Sequence, residues 1–352
     1  MYSMLHKKTT IVSILNILKQ YTDENHRLSQ KEIAEILERE YGMRVDRKAI
    51  KRNLSNLIDA GYDIECSQTT RMIKNKDGSL TESTILSDFY LEREFTDAEL
   101  RLLIDSLLFS KHIPHSQCKE LINKIEGLSS RYFRSSMRHV CSMPENTPKN
   151  GEIFYTIEVL GEAINNERQV AFKYNDWGTD KKLHPRKDDD GNEREYIINP
   201  YQMVATNGRY YLICNYDKYD NAANYRIDRI TDIRMLDTPV KPMKKVSGFE
   251  CGLDLPKHMA EHIYMFSDET KRVTFTAQKC IISEIMDWFG NDVRFVDETA
   301  DEVMAEVRVS CTAMKYWAMQ YAEYVTVTYP ESLADEVGCA LRNAAKKYNK
   351  QG

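Results

Sequence analysis

The chain has 352 residues, 42% of them hydrophobic, and a formal net charge of −5. That length allows two or three cored domains. An acidic total argues against a protein that binds polyanions over its whole surface, so any anion-binding surface is local. The cysteines at 66, 118, 141, 214, 251, 280, 311 and 339 form no C-x-x-C pair, which argues against a zinc ribbon or a disulfide framework. No run of about 18 apolar residues exists, and polar and basic residues interrupt the N-terminal region. The expectation is a reduced, cytoplasmic protein that neither spans a membrane nor needs a cofactor.

The first seventy residues read as three short helices. Ile11, Ile14, Leu15 and Leu18 recur at helical spacing between Thr10 and Tyr21. Ser29 followed by Glu32 is a capping box, Ile33, Ile36 and Leu37 make an apolar face, and Gly42 ends that helix. A third helix starts at Asp46 and runs to Gly61, with Ile50, Leu54, Leu57 and Ile58 on one face. Its other face carries Arg47, Lys48, Lys51 and Arg52. From Tyr41 to Lys76, eight Lys/Arg stand against four Asp/Glu. YDIECSQ reads as a strand, and Asp77-Gly78 as a hairpin turn, with Arg71, Lys74 and Lys76 near its tip. A tight connection before a basic third helix, then a hairpin, predicts a winged helix-turn-helix at residues 1–90. Such a helix fits the major groove, and its flanking cations hold phosphates. Double-stranded operator DNA is the expected partner, with Arg44, Arg47, Lys48, Lys51, Arg52, Arg71, Lys74 and Lys76 as contacts. The competing reading is a small helical domain with a solvated basic face.

Thr96-Asp97-Ala98-Glu99 opens a further helix with a wide stripe of Leu100, Leu103, Ile104, Leu107 and Leu108. A helix at Cys118–Leu128 follows, and residues 136–151 read as a linker. Residues 91–150 are thus expected to form a helical linker carrying homodimer contacts. A helix beginning near Phe154 leads into the runs QVAFKYN, KKLHP, YIINPYQMVAT, RYYLICNY and NYRID, separated by Asp-Gly and Asn-Gly turns. Short strands so punctuated predict a small β-barrel. In RYYLICNY, Arg209, Tyr211 and Ile213 share one face of the strand. Arginine offers a donor fork for phosphate and tyrosine a ring for stacking.

NPYQMV (Asn199–Val204), the NGR turn, the triplet Tyr210-Tyr211-Leu212 and NYRIDRITDI resemble the WYL domain, with Tyr in place of the Trp of its name-giving triplet. REFTDAELRLLIDSLL is similar to the segment preceding such domains in many bacterial regulators. The resemblance implies an Sm-like or SH3-like barrel at residues 151–240 that senses a nucleotide or single-stranded nucleic-acid effector. It implies a lining of Tyr211, Arg226 and Arg229, with Arg209, Tyr174, His184, Arg186 and Tyr201 as a wider set. Residues 241–352 resemble the C-terminal extension that often follows, and their βαββαβ order predicts a ferredoxin-like α+β domain.

The expectation is therefore an α+β multidomain, homodimeric transcription regulator rather than an enzyme. A second reading is a non-regulatory accessory module that modulates a nuclease or another nucleic-acid enzyme. A third rests on HMAEH (His258–His262), which matches an inverted zinc-peptidase pattern but lacks a placed distal ligand. KDDDG (Lys187–Gly191) reads as an exposed turn.

Overall fold

The computed structural model describes residues 9–74, 80–110, 112–136 and 150–348. It is a mixed α+β structure with eleven α-helices and three β-sheets among those residues. The chain divides into two compact units, residues 1–147 and 148–352. Among the described residues no helix is long and apolar enough to cross a membrane.

The first unit opens with α1 (Thr10–Tyr21), α2 (Gln30–Tyr41) and α3 (Arg47–Asp59). Each boundary has a local cause. The Glu32 amide donates to the Ser29 hydroxyl and the Ser29 amide donates to the Glu32 carboxylate, closing the capping box of α2. Gly42 then takes φ 65°, a left-handed conformation natural to glycine, and turns the chain out of α2. Asp46 caps α3 by accepting from the Ala49 amide. Ile14, Ile17, Leu18, Ile33, Leu37, Ile50 and Leu54 fill the core between the three helices. Strands β1 (Ile64–Lys74) and β2 (Leu80–Leu91) pair antiparallel from Ile64↔Leu91 to Lys74↔Leu80, and Ile64, Phe89 and Leu91 join the same core. The expected turn at Asp77-Gly78 lies outside the described residues.

Three more helices complete this unit: α4 (Asp97–Phe109), α5 (His115–Glu126) and α6 (Arg131–Ser136). Thr96 and Glu99 form the second capping box. The broad apolar stripe of α4 is only partly covered. Leu100 and Ile104 are buried with Phe133, whereas Leu102, Leu103 and Phe109 are exposed.

The second unit begins with α7 (Ile153–Asn165), followed by β3 (Arg168–Trp177), β4 (Leu183–Pro185), β5 (Glu195–Thr206), β6 (Arg209–Tyr216), β7 (Ala222–Arg226) and β8 (Ile230–Pro239). The sheet runs β4-β3-β5-β6-β7, with β8 also on β3, and the pairings are antiparallel. Asn207 and Gly208, at φ 51° and 71°, make the tight turn between β5 and β6. The expected barrel does not close, because β7 and β8 do not pair among the described residues. A 3-10 turn at Ile227–Arg229 separates them, and Ile153, Leu160 and Ala163 of α7 pack into the core beside Val170, Phe172, Ile198 and Leu212.

After α8 (Leu255–Glu261) come β9 (Thr270–Gln278), α9 (Ile282–Phe289), β10 (Arg294–Glu298), β11 (Glu302–Ser310), α10 (Cys311–Gln320), β12 (Val325–Tyr329) and α11 (Glu331–Tyr348). Their sheet is antiparallel in the order β10-β11-β9-β12. The fully buried Trp317 meets Phe275 and Phe289 edge-on at its centre, and the three ring centroids lie 4.9 to 6.1 Å apart.

Candidate functional site

Two surfaces carry the chemistry, one in each unit. On α3, Ile50, Leu54 and Leu57 point into the core, which turns Arg47, Lys48, Lys51 and Arg52 outward. None of these four has an acidic partner within ion-pair distance among the described residues. Their charges are therefore available to an incoming anion. Arg44 differs, since its Nε donates to the Glu38 carboxylate at 2.6 Å. Arg71 is exposed on β1. Lys74 ends β1 opposite Leu80, and Lys76 lies outside the described residues.

The second surface is a cavity of about 820 Å³ in the second unit, open to solvent. Pairing of β6 with β7 sets Tyr211 directly opposite Arg226. The 3-10 turn then carries Arg229 to the same wall, held there by Asn175, whose Nδ2 donates to the Arg229 carbonyl at 2.9 Å and to Thr231 Oγ1 at 2.8 Å. Tyr174 and Arg186 complete this side. The guanidinium of Arg186 lies 4.9 Å from the Tyr174 ring centre, and the Arg226 amide donates to the Tyr174 hydroxyl at 3.2 Å. Tyr174 and Tyr225 meet edge to face at 4.9 Å, so the platform behind the arginines is rigid.

Three guanidiniums here face two carboxylates. Arg226 donates through Nε and Nη2 to both oxygens of Asp228, at 3.0 and 2.6 Å. Arg186 does the same to Asp176, at 2.8 and 3.1 Å, and Arg229 shares Asp176 at 3.2 Å. Burial opposes the charge of Arg226, but the Asp228 carboxylate outweighs it and the guanidinium pKa is raised. The hydrogen bonds from Arg186 hold Asp176 below the ordinary carboxylate range. Desolvation raises the Tyr211 and Tyr174 hydroxyls, so both rings are neutral donors at neutral pH. The buried Nε of Arg229 has no hydrogen-bond acceptor among the described residues. A buried donor of that kind favours binding an anion that supplies its acceptor.

Three of the expected lining residues lie elsewhere. Tyr201 packs edge to face on Phe249 and donates to the Lys241 carbonyl at 2.8 Å. A register shift between Pro200 and Gln202 accompanies this placement in β5. His184 is exposed and hydrogen-bonded to Asp180. Arg209, at the start of β6, is half-buried outside the cavity lining. The rest of the lining, unread in the sequence, includes Tyr264, Met265, Phe266, Tyr316, Met319 and Gln320. Helical phase offers a signal for Tyr316. It precedes the fully buried Trp317, so it turns away from that core and is exposed.

The HMAEH segment forms the end of α8, with His262 at its C-cap. His258 and His262 sit with ring centres 4.4 Å apart. Their polar atoms are engaged, His258 with Asn224 Oδ1 at 3.3 Å and His262 with the Phe266 carbonyl at 2.7 Å. Glu261 accepts from Thr270 and pairs with Arg308. Burial lowers His258 to about 4. No group of three potential metal ligands occurs among the described residues.

An open antiparallel sheet with one helix packed on it, bearing an arginine–tyrosine cavity, defines a small β domain with a candidate anion site. That domain is a WYL domain, since the family model for it matches residues 155–235, from α7 into β8. Comparison with curated proteins finds no match. Among solved structures, Proteasome accessory factor B/C (PafBC) of Arthrobacter aurescens is similar at 15% identity and a TM-score of 0.29. The match covers 97% of this chain and 49% of that one, so this chain spans about half its length. A CRISPR Cas-related protein is similar at 14% identity and a TM-score of 0.37, covering 100% of this chain and 88% of the other.

Proposed function

We propose that this chain is a DNA-binding transcription regulator, without catalytic activity, whose WYL domain senses an anionic effector. In this reading residues 1–90 are a winged helix-turn-helix and residues 91–150 a helical, dimer-forming linker. Residues 151–240 form the sensor and residues 241–352 a ferredoxin-like extension. The observation that carries the DNA-binding half is the outward face of α3, where Arg47, Lys48, Lys51 and Arg52 stand without acidic partners on a core-anchored helix. A helix so presented suits the major groove, with the hairpin of β1 and β2 as a wing on the flanking backbone. The exposed Leu102, Leu103 and Phe109 of α4 favour homodimerisation, because apolar side chains grouped on one helix seek cover. A dimer reads inverted half-sites about one helical turn, or a multiple of it, apart. The effector half rests on the cavity, whose arginines exceed its carboxylates. An effector changes DNA affinity only through unequal binding to two states of the dimer.

The test is a mobility shift of the full-length protein with DNA from immediately upstream of its own gene and scrambled competitor. A complex of dimer size that resists the competitor supports the regulator. Sequence-blind binding that disappears with salt counts against it and favours an accessory role.

A further inference from the structure

We infer that Asp176 is a resident carboxylate that occupies two of the arginines until an effector anion displaces it, and that it thereby sets which anions the cavity accepts. This rests on the reading of the cavity as an anionic effector's site. The two carboxylates that face the guanidiniums are not alike. Asp228 belongs to the 3-10 turn, and its side chain is only 10% exposed, against an Arg226 that is 19% exposed. Asp176, near the end of β3, has a side chain 51% exposed. Among the described residues its side chain accepts hydrogen bonds from guanidiniums alone. Oδ1 takes Arg186 Nη2 at 3.1 Å and Arg229 Nη1 at 3.2 Å, and Oδ2 takes Arg186 Nε at 2.8 Å. One carboxylate thus spans two arginines, which is the place a bound anion would take.

The difference in exposure decides which carboxylate can leave. Taking a buried carboxylate from its guanidinium strands a charge, so Asp228 stays. Releasing an exposed one returns it to water at little cost, so Asp176 can go. Asp176 also serves its partners incompletely. Arg229 donates to it through Nη1, while the buried Nε of the same group has no acceptor among the described residues. An anion with more oxygens than a carboxylate can take over the Arg186 fork and serve both Arg229 donors. Arg186 keeps its place through the exchange, because its guanidinium is stacked 4.9 Å from the Tyr174 ring centre. The tethered carboxylate competes at the high effective concentration of a group on the same chain. A free monocarboxylate brings the same head group without that advantage, and loses. A tetrahedral dianion brings a second charge and further acceptors, and wins.

The probes are sulfate and acetate, titrated calorimetrically into the full chain in a buffer free of other multivalent anions. Wild type should bind sulfate and not acetate. Asp176→Asn should bind sulfate tighter by about 10- to 100-fold, the worth of one or two hydrogen bonds to a charged group, and should admit acetate as well. Asp176→Ser, which keeps no carbonyl oxygen for the guanidiniums, should do the same. Asp180→Asn controls for charge alone, since Asp180 is exposed nearby but bonds His184 rather than an arginine; its sulfate affinity should move far less. Sulfate binding that appears only in the two Asp176 variants supports the displacement in its strongest form. Equal gains in Asp176→Asn and Asp180→Asn reduce the effect to net charge and overturn it. Unchanged or weaker sulfate binding in both Asp176 variants overturns it too, because the carboxylate then stays in place or holds the arginines for the anion. Acetate bound by wild type as tightly as sulfate overturns the selection of dianions. Failure of wild type and both Asp176 variants to bind sulfate overturns the effector site itself.

Discussion

Arg226 keeps its charge in a poorly hydrated position because Asp228 accepts from both Nε and Nη2. Their side chains are only 19% and 10% exposed, so neither charge is well served by water alone. Breaking such a pair strands a charge, at a cost of about 3 kcal/mol, whereas removing both partners costs much less. Asp228→Asn and Arg226→Met should each lower unfolding stability by about that amount, and the double variant by clearly less than their combined effect. Urea unfolding of the four proteins measures the coupling, and simple additivity would show that the pair is not coupled. The histidine pair of α8 makes a separate prediction. His258 titrates at about 4 when folded, below the ordinary histidine value, because burial disfavours its charge, and His262 is also lowered by burial. Between about pH 6.5 and 4 the unfolded chain therefore binds more protons, so stability is full above that window and falls as the pH drops through it. His258→Gln should flatten the fall, removing up to about 3 kcal/mol of pH dependence. Thermal melts at pH 7 and pH 4.5 test it, and an unchanged difference between the two would refute the assignment.

At the scale of elements, Arg93 shows how a helix end is tied down. Its Nη2 donates to the carbonyls of Lys19 and Thr22 at the end of α1, at 2.6 and 2.8 Å, and its Nη1 to the Leu128 carbonyl at 3.1 Å. The last carbonyls of a helix lack intrahelical partners, so one guanidinium satisfies two of them and pins the turn after α5 as well. Arg93→Ala should cost about 2 kcal/mol, the worth of hydrogen bonds to a charged group, read as a lower Tm of the first unit. An unaltered melt would mean that water replaces the guanidinium freely. These local devices are also what the sequence discloses best. Both capping boxes, Gly42, Asp46 and the periodicity of α1 to α3 are set by neighbours a few residues apart. The βαββαβ run from β9 to β12 was readable for the same reason. The open sheet was not. Whether β7 meets β8 depends on a 3-10 turn and on α7, and β8 itself did not stand out from the preceding strand. Tyr211, Arg226 and Arg229 were legible through alternation along β6 and the resemblance to WYL domains. Phe266 and Tyr316 were not, because fifty residues of intervening chain bring them together and no local pattern marks the meeting.

At the scale of the whole molecule, a net charge of −5 coexists with four uncompensated cations on one helix face. The acidic remainder repels a polyanion, so the proposed binding to DNA would come from a small footprint and should be steep in its dependence on geometry and salt. Each phosphate neutralised by Lys or Arg releases condensed counterion, which gives a slope of about −0.9 per contact in log affinity against log salt. Lys51 is exposed, unpaired among the described residues and one helical turn beyond Arg47, so its removal leaves the core of α3 untouched. Lys51→Ala should therefore weaken operator binding and reduce the slope by about 2 in a dimer, one contact per subunit. Fluorescence anisotropy with labelled operator from 50 to 250 mM salt supplies both quantities. Weaker binding at an unchanged slope would move Lys51 from phosphate to base contact, and its effect should then vary with operator sequence. No change in either quantity would remove α3 from the interface and leave the basic face as ordinary solvated surface.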